Sequence, residues 1–242
     1  MLKLLKKLYY KEQMNPSLLG LFCNPFYFVR KELYKNIKLF SKNLHGKVLD
    51  IGCGNKPYKE LFRHTNYQGL EIDTPKKRQK RIADYFYDGT KMPFTNEEFD
   101  GLVSNEVFEH VYNPDEFLKE LNRILKKEGQ LLITVPFIWD EHEQPHDFAR
   151  YTSFGLRFLL EKHGFTIIQH KKTLNNIKII FQLINTYIYK KIDTDKIYFN
   201  LLTTLLLIAP FNILGLILSF LLPKNNDLYM DNIILAKKVN NA

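Results

Sequence analysis

Cysteine is scarce in this chain. Its 242 residues hold two, Cys23 and Cys53. Two thiols cannot build a disulfide framework or a cysteine-rich zinc site, so a reducing, cytoplasmic setting is expected. Repeats with a period of roughly 20–50 residues are lacking, which argues against a solenoid. The N-terminus lacks the unbroken apolar run of a signal peptide, because lysines interrupt it. Between residues 197 and 223 there is no charged side chain at all. What is present is an apolar share of 45%, which excludes wholesale disorder. The length suits one α/β domain with additions.

Lysine and arginine number 35 against 26 acidic residues, a net charge of +9. Such a balance favours anionic partners without choosing among them. Residues 1–38 hold eight basic and two acidic side chains. There, Leu2, Leu5, Leu8 and Tyr9 interleave with Lys3, Lys6, Lys7 and Lys11. That spacing gives a short basic amphipathic helix, suited either to a membrane surface or to packing on its own domain. The run KKRQKR, Lys76 to Arg81, reads as a solvated loop.

The chain divides into a basic helical segment over 1–45, a core over 46–173, an apolar insert over 174–226 and a last strand over 227–242. Seven strands are predicted: VLDIG, YQGLEI, RIADYFYD, FDGLVSN, QLLITVPF, FTIIQHKK and MDNIILAKKV. Between them lie a brief helix at PYKELF, a helix at PDEFLKELNRILKK ended by Gly129, and a third at TSFGLRFLLEKHG. Strands alternating with helices predict a mostly parallel sheet covered on both faces.

VLDIGCGN, from Val48 to Asn55, runs an apolar strand into Gly52 and Gly54, with Asp50 ahead of them. Those glycines allow a tight turn and close approach of a ligand to the backbone. Glu71 ends the next strand, where a carboxylate can accept both hydroxyls of a ribose. The dinucleotide fingerprint fails, because Pro57 stands where its third glycine belongs. DGTKMPFTNEEFDGLVSNEVFEHV follows from Asp88 to Val111, then LKKEGQLLITV from Leu125 to Val135.

In these motifs the chain resembles class I S-adenosylmethionine-dependent methyltransferases of the type 11 subgroup, over about residues 45–172 plus the last strand. The resemblance implies a Rossmann-like seven-stranded methyltransferase sheet with its last strand antiparallel and an apolar helical insert before it. It implies S-adenosylmethionine as cofactor. Asp50, Gly52 and Gly54 would form the floor under its methionine part. Glu71 would hold the ribose, Ile72 the adenine face, and Asp88 and Gly89 the adenine edge. Asn105 would line the site near the methionine carboxylate and the sulfonium. Lys127-Glu128 replaces the usual Pro-Gly, with a turn still available through Gly129.

After the fifth strand comes PFIWDEHEQPHDFARYTSFGL, Pro136 to Leu156, dense in ionisable groups. It is similar to a segment of a bacterial subset that accompanies surface-polysaccharide enzymes, which implies a glycan or lipid-linked acceptor. Histidine suits removal of an acceptor proton near neutral pH. His142 is the first candidate base, His146 the second and His110 the third. Asp147 would orient an imidazole. Arg150 would hold an anionic group of the acceptor or simply pair with Asp147, and Tyr151 is the second candidate substrate contact. No metal site is expected: His142 and His146 are four apart, but Pro145 between them interrupts a helix.

The expected function is O-methylation of a glycan or lipid-linked small acceptor at the cytoplasmic face of the inner membrane. Lipid or quinone methylation, and a noncatalytic membrane-bound scaffold, are the alternatives. A nucleic-acid partner is not expected, since no RNA-binding module is recognisable. The 24 residues from Phe199 to Leu222 are long enough for one membrane span, yet Pro210, Asn212 and Gly215 sit in their middle. Strands six and seven share a sheet, so the chain between them must cross a membrane an even number of times or not at all. A shallow hairpin of two helices, Leu201–Ala209 and Asn212–Leu222, is therefore predicted, dipping into one leaflet or packing on a partner; burial against its own domain is the alternative.

Overall fold

The computed structural model describes residues 2–80 and 82–239, with the side chains of 2–7 excepted. Leu2, Lys3, Leu5, Lys6 and Lys7 of the basic amphipathic pattern, and Arg81 of the second basic run, thus carry readings that lie outside the described side chains. The chain forms two compact units. One holds Ile37–Lys171 and the segment from Asp231 onward; the other holds the chain up to Asn36 together with Lys172–Met230.

The first unit is built on a seven-stranded sheet. Its strands are β1 (Lys47–Ile51), β2 (Asn66–Ile72), β3 (Tyr85–Tyr87), β4 (Phe99–Asn105), β5 (Leu125–Pro136), β6 (Phe165–Lys172) and β7 (Asp231–Lys238). Their order is β3-β2-β1-β4-β5-β7-β6. The pairs from β3 to β5 are parallel, and β7 runs antiparallel to β5, with Ile233 opposite Thr134 and Leu235 opposite Leu132. Strands covered on both faces read as unbroken apolar runs. Leu131, Leu132 and Ile133 are accordingly all fully buried.

The helix Pro114–Ile124 starts at Asn113, whose side chain accepts from the amide of Glu116, with Pro114 in the first turn. Phe117, Leu118, Leu121 and Ile124 form its buried face. It stops at Ile124, and β5 begins at once with Leu125. No turn separates helix and strand at Gly129: β5 runs through it, with Glu128 at φ +62 and a shift in register against β4 between Phe99 and Gly101.

The second unit is helical: Leu2–Met14, Gly20–Cys23, the start of Tyr27–Phe40, Lys178–Ile192 and Ile197–Leu221. The helical hairpin is present but differs from the predicted one. Ile197–Leu221 is a single helix of 25 residues, and its partner is Lys178–Ile192. Pro210 is accommodated because the preceding turn, Thr204–Ile208, widens to π-helical spacing. Widening displaces the carbonyl that the ring would strike, and proline needs no partner for an N–H.

The other presumed helix breakers serve packing. Asn212 donates to the carbonyls of Leu21 and Asn24 at 2.9 and 3.3 Å and accepts from Asn185 at 2.8 Å. A Cβ on Gly215 would lie 2.9 Å from Phe181, so glycine permits that close approach. The hairpin turn is held by Asn200, which accepts from the amide of Thr194 and donates to Asp193 and to the Thr194 carbonyl. At the other end the chain returns to where it left: the amide of Asn225 donates to the Asn175 carbonyl at 2.8 Å.

Candidate functional site

In the sheet unit, β1 is followed by β2 on one side and has β4 on the other. The strand order reverses there, and the carboxyl ends of β1 and β4 open the crevice where open α/β sheets bind ligands. The glycine loop leaves β1 at this place. Gly52 has φ +69, and a Cβ on it would collide with Val107. Gly54 has φ +49 and open space where its Cβ would be. The amides of Gly52 and Cys53 both donate to the Leu70 carbonyl, which ties the loop to β2.

Glu71 lies at the end of β2, nearly fully buried. Its Oε2 accepts from the Gly54 amide at 2.9 Å, and its Oε1 from the Ile72 amide and Lys77 Nζ, each at 2.9 Å. The carboxylate is thus aimed into the loop, and Oε2 retains acceptor capacity for a ribose hydroxyl. Lys77 belongs to the basic run read as a solvated loop; the structure gives it a helix, Pro75–Lys80, and an ion pair to the presumed ribose carboxylate. Asp50 is also buried and accepts from the Tyr67 hydroxyl. Burial pushes its carboxyl up to about 7, against the Tyr67 hydrogen bond. It shapes the floor from beneath rather than presenting a free charge.

On the far side of Glu71, Ile72 is 39% exposed and faces Gly89, whose Cβ would sit 3.2 Å from its Cδ1. Asp88 is exposed and ionised, its Oδ1 taken by the amide and hydroxyl of Thr90, which hold its carboxyl below the usual range. At the end of β4, both polar atoms of the Asn105 side chain are buried and lack a hydrogen-bond partner among the described residues. A buried primary amide without partners is costly in an isolated protein and is explained by a ligand. The open space at Gly54, the Ile72–Gly89 wall and the unpartnered Asn105 amide are groups that an S-adenosylmethionine could contact.

The loop after β5 is where the structure adds most. It has no regular secondary structure from 139 to 152, and the amides of Phe148 and Ala149 donate to the Glu109 carbonyl, pinning it to the 3-10 turn Phe108–His110. This brings His110 and His142 together, Nε2 to Nε2, at 3.1 Å. His110 Nδ1 lies 2.7 Å from the His146 carbonyl, which can only accept, so Nδ1 carries the proton. His142 Nδ1 lies 3.2 Å from the Asp140 carbonyl and 3.3 Å from Asp147 Oδ2, so its proton sits there too. Asp147 therefore orients His142, and accepts from its amide at 2.9 Å.

Arg150 forms a bidentate pair with Asp147, at 2.6 and 2.7 Å, and also donates to the Asp140 and Ala149 carbonyls. That pairing, with the His142 amide, holds the Asp147 carboxyl far below the usual carboxylate range despite burial. Arg150 is thus a brace for the loop and not a free anion receptor, because its donors are committed. Tyr151 packs its ring on Phe108, 4.8 Å between centroids, and is likewise structural. His146 is exposed, and its imidazole does not join the cluster.

Glu109 is the residue that sequence reasoning passed over. It is 0% exposed, and neither carboxylate oxygen has a hydrogen-bond partner among the described residues. Burial, reinforced by the nearby negative charge of Glu106, raises its pKa well above the usual value. Its Oε1 lies 3.7 Å from His110 Nε2 and 3.8 Å from His142 Nε2. Its place beside His110 in the quoted E-H-V motif was the only signal available. The expectation of no metal site had considered His142 with His146, whereas the structure assembles Glu109, His110 and His142.

Comparison with known proteins bears on the fold and the family. A ubiquinone biosynthesis O-methyltransferase of Pelagibacter ubique is 30% identical over 121 residues, 44% of this chain and 50% of the relative. The chain thus spans about half the length of that relative. The phosphoethanolamine N-methyltransferase 2 of Haemonchus contortus, solved with S-adenosyl-L-methionine, superposes with a TM-score of 0.55 at 15% identity, covering 96% of this chain and 59% of that one. The cyclase SpnF superposes with a TM-score of 0.54 at 16% identity, covering 86% and 81%. A cyclase on the same fold shows that the fold alone does not choose the reaction. The model of the methyltransferase domain family matches residues 26–170, more than half of the sequence, and it matches across the glycine loop, Glu71, Asn105 and the histidine loop alike. The cofactor is S-adenosylmethionine, and the chain belongs to the methyltransferase domain family.

Proposed function

We propose that this chain transfers a methyl group from S-adenosylmethionine to an oxygen of a glycan or lipid-linked small acceptor at a membrane surface. The observation that carries the chemistry is the His110–His142 pair standing beyond Asn105, at the end of the strand that borders the glycine loop. The cofactor supplies an electrophilic methyl on a sulfonium. When bound, it would offer that methyl to an acceptor oxygen on the side opposite the sulfur, the sulfur leaving with the bonding pair. Glu71, Asn105 and the glycine loop hold the methyl in line, which supplies much of the rate by alignment. The acceptor proton passes to an unprotonated Nε2 of the histidine pair, each Nδ1 being fixed by a carbonyl or carboxylate.

Support for a membrane surface comes from the helical unit. The helix Ile197–Leu221 is long and apolar enough to cross a membrane by length and composition. Its burial is inverted relative to a water-soluble helix. Asn200, Thr204, Ala209, Asn212 and Gly215 face inward together with Ile208, while Phe199, Leu202, Leu206, Ile213, Ile217 and Phe220 form an exposed stripe. Small and polar residues inside with large apolar ones outside is the pattern of a helix surrounded by lipid. The hairpin tip carries Lys190, Lys191, Asp193, Asp195 and Lys196, and Lys224 follows the other end. Burying those tip charges in a bilayer core is costly, so a hairpin lying in the interface is favoured over a crossing.

A second reading, methylation of a lipid or quinone, is favoured by the name of the Pelagibacter relative, an O-methyltransferase of ubiquinone biosynthesis. One experiment separates the readings. Labelled S-adenosylmethionine is supplied to native-cell fractions with the purified chain. Label in polysaccharide or in lipid-linked sugar supports the first reading, and label confined to quinone or simple lipid supports the second. No label in any fraction, with cofactor bound, would favour a noncatalytic scaffold.

A further inference from the structure

We infer that Glu109, His110 and His142 form a site for a divalent transition-metal ion of the zinc type, bound by two imidazole nitrogens and one carboxylate oxygen. Three observations converge on one point. The two Nε2 atoms face each other at 3.1 Å while both Nδ1 protons are committed elsewhere, so two lone pairs confront one another. Glu109 buries a carboxylate with neither oxygen hydrogen-bonded among the described residues. The three facing atoms lie 3.1, 3.7 and 3.8 Å apart. The circle through atoms at those separations has a radius of about 2.1 Å, which is the ~2.0–2.2 Å of zinc bound by histidine and carboxylate. One cation at that centre would satisfy both lone pairs and the unpartnered Glu109 carboxyl at once.

The surroundings match a metal site. Each ligating ring donates its other N–H to a carbonyl or carboxylate, the arrangement that fixes tautomer and ring orientation around a metal. Asp147 and Arg150 then form the outer support. Two imidazoles and one carboxylate are a donor set for zinc, iron or cobalt rather than for magnesium or calcium. Three protein ligands leave a position open, as catalytic sites do and structural sites do not. The cation site stands on this geometry alone. Its role rests on the methyl-transfer reading but replaces the histidine base: with both Nε2 lone pairs on the metal, an acceptor hydroxyl in the open position would have its pKa lowered and would lose its proton to solvent near neutral pH.

The test uses the full chain, tag-free and stripped with a chelator, titrated with Co²⁺ and then with Zn²⁺. One equivalent of Co²⁺ is expected to bind with the visible absorption of a four- or five-coordinate nitrogen-containing site, and Zn²⁺ should displace it. His110→Ala, His142→Ala and Glu109→Gln should each weaken Co²⁺ binding by at least the ~10–100-fold typical of losing an outer partner alone, and Asp147→Asn by about that amount. Zinc should also shield His110 and His142 of the unaltered protein from diethyl pyrocarbonate, read by peptide mass mapping, which keeps the test valid if a variant fails to fold. Absence of stoichiometric uptake, uptake indifferent to all three ligand substitutions, or both histidines staying fully reactive with zinc bound, would overturn the site. Calorimetry with S-adenosylhomocysteine on the same samples separates the two readings. Metal without cofactor binding removes the methyltransferase role and leaves the site; cofactor without metal does the reverse.

Discussion

Lys77 Nζ sits 2.9 Å from Glu71 Oε1, on the outer oxygen of the carboxylate that faces the glycine loop. Lys77 is 40% exposed at its side chain, whereas Glu71 is almost entirely covered. The lysine thus caps Oε1 from the solvent side; without it Oε1 would keep the Ile72 amide and Oε2 the Gly54 amide. Glu71→Ala removes charge-assisted hydrogen bonds worth roughly 1.5–3 kcal/mol. Affinity for S-adenosylhomocysteine should fall at least ~10-fold by calorimetry, with the far-ultraviolet dichroism unchanged. Lys77→Ala should leave affinity equal or higher, since a competitor for Oε1 is gone. An unaffected Glu71→Ala would remove the ribose role.

His142→Ala should lower turnover by ~10²-fold or more and leave cofactor affinity nearly intact, because the group acts only in the chemical step. His146→Ala should be close to neutral, since only its backbone carbonyl serves the cluster. Full activity of His142→Ala would place proton removal elsewhere.

Asp50 makes stability depend on pH in a defined direction. Its folded carboxyl titrates near about 7, above the ordinary carboxylate value, chiefly through burial. The folded state then binds more protons than the unfolded state between pH ~4 and ~7, so this group lowers stability as pH rises through that window and has no further effect above it. Asp50→Asn keeps an acceptor for Tyr67 and removes the titration. The variant should be more stable than the parent at pH 8, by up to about 4 kcal/mol for a shift of about three units, with the difference closing towards pH 4. Urea midpoints at pH 4, 6 and 8 check this; a pH-independent difference would contradict it.

The exposed stripe of Ile197–Leu221 should bring the chain to liposomes. Flotation with anionic vesicles is expected for the parent and should be abolished by Leu206→Glu with Ile217→Glu, whose positions are outward-facing. Cysteines placed at Lys191 and Asn225 should both label only from the cytoplasmic side. Labelling of Asn225→Cys from outside would mean a crossing and would contradict a hairpin whose ends meet at Asn175 and Asn225.

Much of this was legible in the sequence because it depends on local pattern. All seven strands follow from short apolar runs ended by glycine, asparagine or charge, and the switch point follows from the placement of Gly52, Gly54 and Glu71. The antiparallel last strand came from the family resemblance, not from periodicity. Tertiary structure alone decided the rest. Pro210 reads as a breaker until a π-turn absorbs it, and Asn212 reads as a flaw until Asn185 and two carbonyls meet it. Arg150 reads either as a substrate contact or as a partner of Asp147, and the structure shows the pairing; Tyr151 packs on Phe108 instead of facing a substrate. Glu109 and His142 lie 33 positions apart in sequence, so no spacing rule could pair them. The amides of Phe148 and Ala149 fold the loop back onto the Glu109 carbonyl and bring the two side chains within 3.8 Å. Periodicity fixes which face of an element is buried; which side chains of distant loops converge depends on how the elements pack.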